Sequence, residues 1–305
     1  MTKGKDNKPG DTTHTITDVL KVTKGTFECC LLGTGTGIIL NRMSEKVQHE
    51  LLMPRGRKTT AEKAITLKHD PFAEYRAAPY TLKDPKAATL LAHVSAAFKK
   101  AVMTASLDLP GAKKAQIGRL TYVEGEYVPI YGLPKLFMRP VRSADMNRTP
   151  DIRTRLIIPV WAARLQITFV QPLIRPQAIA NLLAAAGMTA GVGDWRPEKG
   201  AGNYGTFKIV DQDDPEYRRV VATGGRAVQI AGLENPVCYD DETTELLSWY
   251  DAELADRKQK GVDTHVATAS HGSADRRHST PGKRARTNHS TPGSPGRATA
   301  HESVT

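Results

Sequence analysis

The stretch from Gly191 to Val210, GVGDWRPEKGAGNYGTFKIV, sets Gly191, Gly193, Gly200, Gly202 and Gly205 around Trp195, Arg196 and Lys199. Glycine serves where a backbone bends into conformations closed to other residues, or approaches another backbone or a ligand closely. The aromatic ring and the two cations add a stacking surface and a charge able to pair with phosphate. The same glycines also suit a purely structural loop that closes a sheet. The residues alone leave both readings open.

What flanks this loop decides the expected fold. Phe27 to Leu32 (FECCLL) is an apolar run of strand length, stopped by the GTGTG of residues 33–37. That run lacks the GxGxxG spacing of a dinucleotide-binding turn. Residues 84–107 predict a helix: Leu90, Leu91, Val94, Phe98, Ala101 and Val102 recur at three- and four-residue steps after Asp84-Pro85. Arg119 to Tyr131 reads as a hairpin about Glu124-Gly125-Glu126, with a further strand over 136–141. Ala163, Leu165, Ile167 and Phe169 alternate within a strand expected over 156–170. A second helix is expected over 176–188, then the glycine-rich loop and a last core strand at 204–210. RRVVA and AVQIA, between residues 216 and 240, suggest one or two peripheral strands, and 241–258 a helix with its acidic end first.

Stripped of insertions, the order is β-α-β-β-α-β, an α+β ferredoxin-like core with a glycine-rich loop before its last strand. It predicts an antiparallel sheet with both helices on one face and the other face open to a ligand. The expected layout is a disordered arm over 1–24, one domain over 25–258 with a basic insertion at 41–70, and a disordered basic tail over 259–305. HSTPG occurs twice in that tail, at 278–282 and 289–293.

The formal net charge is +11. From Arg257 onward nine Lys and Arg face three acidic residues, so the tail holds just over half of that excess. Such a balance favours polyanionic partners. The N-terminal residues form no apolar leader run, and no window is long and apolar enough to span a membrane. Cys29, Cys30 and Cys238 show no metal-ligand spacing; adjacent Cys29 and Cys30 should point to opposite faces of a strand as buried filler. These features predict a cytoplasmic protein with no cofactor and no metal.

In element order the chain resembles the RAMP superfamily, the ferredoxin-like RNA-binding proteins of CRISPR processing and effector complexes. Its hallmark is a glycine-rich loop between second helix and fourth strand, matched here by Gly191-Val192-Gly193 and Gly200-Ala201-Gly202. The resemblance implies that this loop contacts an RNA backbone through Gly191, Gly193, Gly200 and Gly202 with Arg196 and Lys199. Trp195 and Tyr204 would stack bases. Basic loops carrying Arg42, Lys46, Arg55, Arg57, Lys58, Arg139, Arg142 and Arg148 would flank the groove. The segments FKKAVMTAS, YVEGEYVPI, DIRTRLIIPVWAARLQITF and GVGDWRPEKGAGNYGTF are also similar to an uncharacterised family of bacteriophage-encoded proteins. That likeness implies a phage origin and a bacterial host cytoplasm.

The expected function is non-catalytic binding of RNA or single-stranded DNA. Two alternatives stay open: a phage structural or assembly protein that self-associates through the same fold, and a RAMP-like endoribonuclease. His49, His69 and His93 are the body histidines that cleavage would recruit, but the sequence pairs none of them with a partner group, and His93 reads as structural.

Overall fold

The computed structural model describes residues 20–42, 69–142, 150–200 and 202–271. The arm up to residue 19, most of the 41–70 insertion and the tail beyond 271 lie outside the described residues. Described residues up to Lys258 form one compact unit. Gln259 opens a second, described along its backbone to His271.

The chain is α+β, built on an antiparallel sheet whose longest strand is β1 (Thr23–Gly33). Alternation along β1 sends Cys29 and Leu31 into the main core and Cys30 and Leu32 into a second cluster on the opposite face. The adjacent cysteines therefore diverge as expected, and burial pushes the Cys29 thiol up to about 12. On one side β1 pairs with β10 (Phe207–Val210), on the other with β9 (Ala162–Gln171). Beyond β9 come β6 (Tyr127–Tyr131), β4 (Leu91–Val94) and β3 (Tyr80–Thr81). The short β5 (Thr121–Val123) also pairs with β9.

Two helices cover the main-core face. Phe98, Ala101, Val102 and Ala105 of α2 (Ser95–Ala105) and Ile179, Leu182 and Leu183 of α4 (Pro176–Ala185) are buried against the sheet. Each large side chain so buried stabilises the fold by roughly 1.5–3 kcal/mol. A π-helical turn, Ala186–Ala190, extends α4 into the glycine-rich loop. Two shorter helices, α1 (Pro71–Ala77) and α3 (Lys114–Leu120), lie outside this pair.

Four expectations need correction. The helix expected from residue 84 begins at Ser95. Asp84 instead closes a turn by accepting from the Lys86 amide at 2.9 Å. Leu91–Val94 is a strand, and the Gln229 side chain accepts from the Leu90 and Leu91 amides at 2.8 and 2.9 Å. Cross-strand pairing with β6 overrides the helical spacing of the leucines. Second, 119–131 is not a hairpin: β5 and β6 both pair with β9, and the residues between them loop out of one ladder.

Third, the run expected over 156–170 is broken at Pro159–Trp161. Residues before the break form β8 (Pro150–Ile158) in a separate three-stranded sheet, between β2 (Ile38–Leu40) and β7 (Lys135–Arg142). Fourth, RRVVA and AVQIA are helical, within α5 (Pro215–Thr223) and α6 (Arg226–Glu234). Asp214 caps α5 by accepting from the Glu216 and Tyr217 amides, both at 2.9 Å, with Pro215 in the first turn. Tyr217 and Val220 then pack on Cys30, Leu32 and Ala162, covering part of the sheet face expected to be open. The uncovered strip is charge-balanced, with Arg164 paired to Glu28 at 2.6 Å and Lys24 to Glu124 at 3.3 Å. A last helix, α7 (Asp241–His271), follows the expected one and runs further.

Candidate nucleic-acid interface

The glycine-rich loop joins the two sheets. The Val192 amide donates to Gly205 O at 2.9 Å, Gly205 to Gly37 O at 2.7 Å, and Tyr204 to Trp195 O at 3.2 Å. The Asp194 amide donates to Ile39 O at 2.9 Å, so the loop closes the β2 edge of the small sheet. The other edge is closed by residues 237–239, which bond the Leu136 backbone twice at 2.9 Å. Capped edges leave this sheet a face to present rather than a rim to extend.

Most of the glycines meet backbone. A Cβ on Gly205 would lie 1.6 Å from Val192 O, at a φ of +73°, and one on Gly202 would lie 1.5 Å from Trp195 O. The chain approaches itself here so closely that no other residue fits. The Gly191 amide closes the π-helical turn on Ala186 O, and the Gly193 carbonyl accepts from Arg196 Nη1, both at 2.8 Å. Gly200 ends a 3-10 turn, Pro197–Lys199, with open space around it.

Arg196 is committed to the loop. Its Nε and Nη2 meet Glu198 Oε2 at 2.7 and 2.6 Å. Thr104 and Lys100 of α2 reach the other Glu198 oxygen at 3.3 and 3.8 Å. Burial pushes the Glu198 carboxyl up, but these partners outweigh it and hold the group below the usual range. The pair thus braces the loop against α2, and Arg196 can reach a phosphate only by leaving it. Lys199, exposed, forms no ion pair among the described residues. His93 packs edge-on against Phe98 at 6.1 Å; burial, helped by Arg196, lowers its pKa to about 4, so it is neutral.

Three expected residues come together on the outer face of the small sheet. Trp195 and Tyr204 stand 6.2 Å apart, and each meets the Phe137 ring edge-on at 5.8 Å. Arg139 stacks on that same ring with its guanidinium carbon 4.2 Å from the centroid. Trp195 is held at a φ of +50°, a conformation that costs a non-glycine residue roughly 1–2 kcal/mol. The flanking bonds of Asp194 and Tyr204 fix this ring where it lies.

Four residues not assigned from the sequence complete the face: Phe137, Tyr239, Arg153 and Arg155. Tyr239 packs on Phe137 at 5.7 Å, and the ladder sets Arg153 beside Arg139 and Arg155 beside Phe137. The signal was present as alternation, since Phe137 and Arg139, like Arg153 and Arg155, are two apart and share a strand face. The arginines are pre-positioned by acids. Arg139 bonds Asp240 and also meets Glu242 at 3.1 Å; Arg155 meets Asp194 at 3.3 Å, and Arg153 meets Asp151 at 3.0 Å. Burial pushes Asp240 up, but its bonds from Arg139 and Thr243 outweigh this and lower it to about 2.

The remaining expected residues scatter. Arg42 lies over the Tyr80 ring at 5.6 Å, by the main sheet, and Arg142 is exposed at the end of β7. Lys46, Arg55, Arg57, Lys58 and Arg148 lie outside the described residues, as does His49. Among the described residues no group of His, Cys, Asp and Glu could hold a metal ion, and no helix is long and apolar enough to cross a membrane.

No protein-family model matches the chain. Comparison with curated proteins returns no match. Among solved structures, the chain is similar to one from a type III-B Cmr-beta complex bound to cognate target RNA, at 11% identity and a TM-score of 0.34. The likeness covers 63% of this chain and 60% of that one, so this chain spans less than two thirds of its length.

Proposed function

We propose that this protein is a non-catalytic binder of RNA or single-stranded DNA, with a ferredoxin-like, RAMP-like core that carries the strand across the outer face of the small sheet. The core reading is supported by the antiparallel order β10-β1-β9-β5/β6, last-first-third-second, with α2 and α4 on one face. The binding reading is carried by one observation: Trp195, Tyr204 and Tyr239 gather on Phe137 beside Arg139 and Arg155. Single-strand binders combine stacking rings with backbone-tracking cations in this way. Arginine suits the role because its planar fork can exchange a carboxylate for a phosphate in the same geometry. In the bacteriophage setting implied by the sequence resemblance, the strand is met in the host cytoplasm.

The test is fluorescence anisotropy with labelled single-stranded RNA and DNA of about 12 nucleotides, titrated at several salt concentrations. The expected result is binding that weakens steadily with salt, since each displaced phosphate counterion adds to the slope. Replacing Trp195 and Tyr204 together by Ala should weaken binding by about 10- to 100-fold, because stacking is worth roughly 1–3 kcal/mol per base. Absence of salt-sensitive binding to any strand would overturn the reading.

A further inference from the structure

The inner face of the small sheet holds a second feature, apart from the aromatic cluster. Between β7, β8 and α7 lies a cavity of about 350 Å³, walled by Met138, Ile152 and Leu246. Thr154 also lines it, 2% exposed, and its Oγ1 has no hydrogen-bond partner. Buried hydroxyls without partners are uncommon in folded proteins, because the group has given up water for nothing. Toward solvent the cavity is bordered by Trp249, which is 57% exposed, and by the half-buried Tyr250. A large aromatic ring left in water next to an apolar hollow is a surface prepared for another ring.

One edge of the cavity is polar and charge-balanced. His69 stands between two carboxylates, Nδ1 at 2.5 Å from Glu74 and Nε2 at 2.8 Å from Asp151, and Arg153 holds the other Asp151 oxygen.

We propose that this cavity receives one nucleobase of the bound strand, stacked on Trp249 with its polar edge at Thr154 Oγ1. The assignment rests on the strand-binding reading above. An aliphatic side chain would leave the Thr154 hydroxyl unpaired, and a bare anion would meet apolar walls and two carboxylates. A planar heteroaromatic ring satisfies both the walls and the hydroxyl. The volume falls in the range of pockets that enclose small ligands and accommodates a base with its sugar.

The experiment measures anisotropy of two labelled 12-mers of equal charge, one carrying bases and one fully abasic, against wild-type protein and Trp249→Ala. Because Trp249 is exposed, the variant should keep the wild-type thermal midpoint. The expected result is binding weaker by about 5- to 100-fold on the base-bearing strand, with abasic binding unchanged. Thr154→Val should narrow the preference among four homopolymers. Trp249→Ala binding the base-bearing strand within about twofold of wild type, or losing equally on both strands, would overturn the cavity proposal. In those cases a loss still seen on replacing Trp195 and Tyr204 keeps the outer-face reading. Wild-type protein that binds neither 12-mer overturns both.

Discussion

Gly205 and Gly200 are both at positive φ in the same loop, yet their surroundings differ. At Gly205 an added methyl would overlap Val192 O, whereas at Gly200 nothing lies within 4 Å. Gly205→Ala should therefore cost on the order of 4 kcal/mol or prevent folding, while Gly200→Ala should cost only about 1–2 kcal/mol for the left-handed conformation. Chemical denaturation of the two variants checks the contrast, and equal costs would contradict it. The count of glycines was legible in the sequence; their partners were not. A glycine that admits a ligand and one that admits another carbonyl look alike until the fold places the second strand of backbone.

Two charged residues give stability a pH dependence of predictable sign. The Glu74 hydrogen bond, with a smaller contribution from Asp151, raises the His69 pKa above its ordinary 6.5 despite the opposing effect of burial. A raised histidine contributes stability fully below the unfolded value and loses it as pH rises through the folded one. The unfolding midpoint should therefore fall as pH rises above the ordinary 6.5, and His69→Gln should flatten that fall. Asp240 acts at the other end: its contribution holds above its ordinary 3.8 and disappears as pH falls through about 2. Arg139→Gln should weaken the acid-side loss, as followed by circular dichroism.

At the scale of elements, local signals were reliable where one residue both starts and fills an element. Pro176 and the stripe Ile179, Leu182, Leu183 produced α4 as expected, and alternation in 163–169 produced β9. The misread elements share a cause: their conformation depends on partners far away in sequence. β4 is extended because β6 and Gln229 bond it, although Leu91 and Val94 continue the spacing of α2. Residues 216–240 were misread despite a legible cap, Asp214-Pro215, because short runs such as RRVVA suit a strand or a helix equally. Asp214→Ala should cost about 1 kcal/mol as a lost cap, and it should loosen the helix that covers Cys30. Faster reaction of Cys30 with a thiol reagent, beside unchanged Cys29, would register that loosening.

At the scale of the molecule, positive charge was legible as a sum and misleading as a map. Two of the expected cations are bound to acids: Arg196 to Glu198, and Arg139 to Asp240 and Glu242. The candidate face is therefore defined by aromatic residues drawn from β7, the glycine-rich loop and the segment before α7, with arginines held ready between them. Only the fold brings Phe137, Trp195, Tyr204 and Tyr239 together, from positions up to 102 residues apart. The main sheet offers a rival surface, the strip beside α5 with Tyr122, Tyr127 and Tyr131 around paired Glu28 and Arg164.

Photocrosslinking of a bound single strand, followed by mass spectrometry of the conjugated peptides, separates these surfaces directly. Crosslinks to peptides containing Trp195, Tyr204 or Tyr239 are the expected result. Crosslinks confined to Tyr122, Tyr127 and Tyr131 would place the strand on the main sheet and contradict the account.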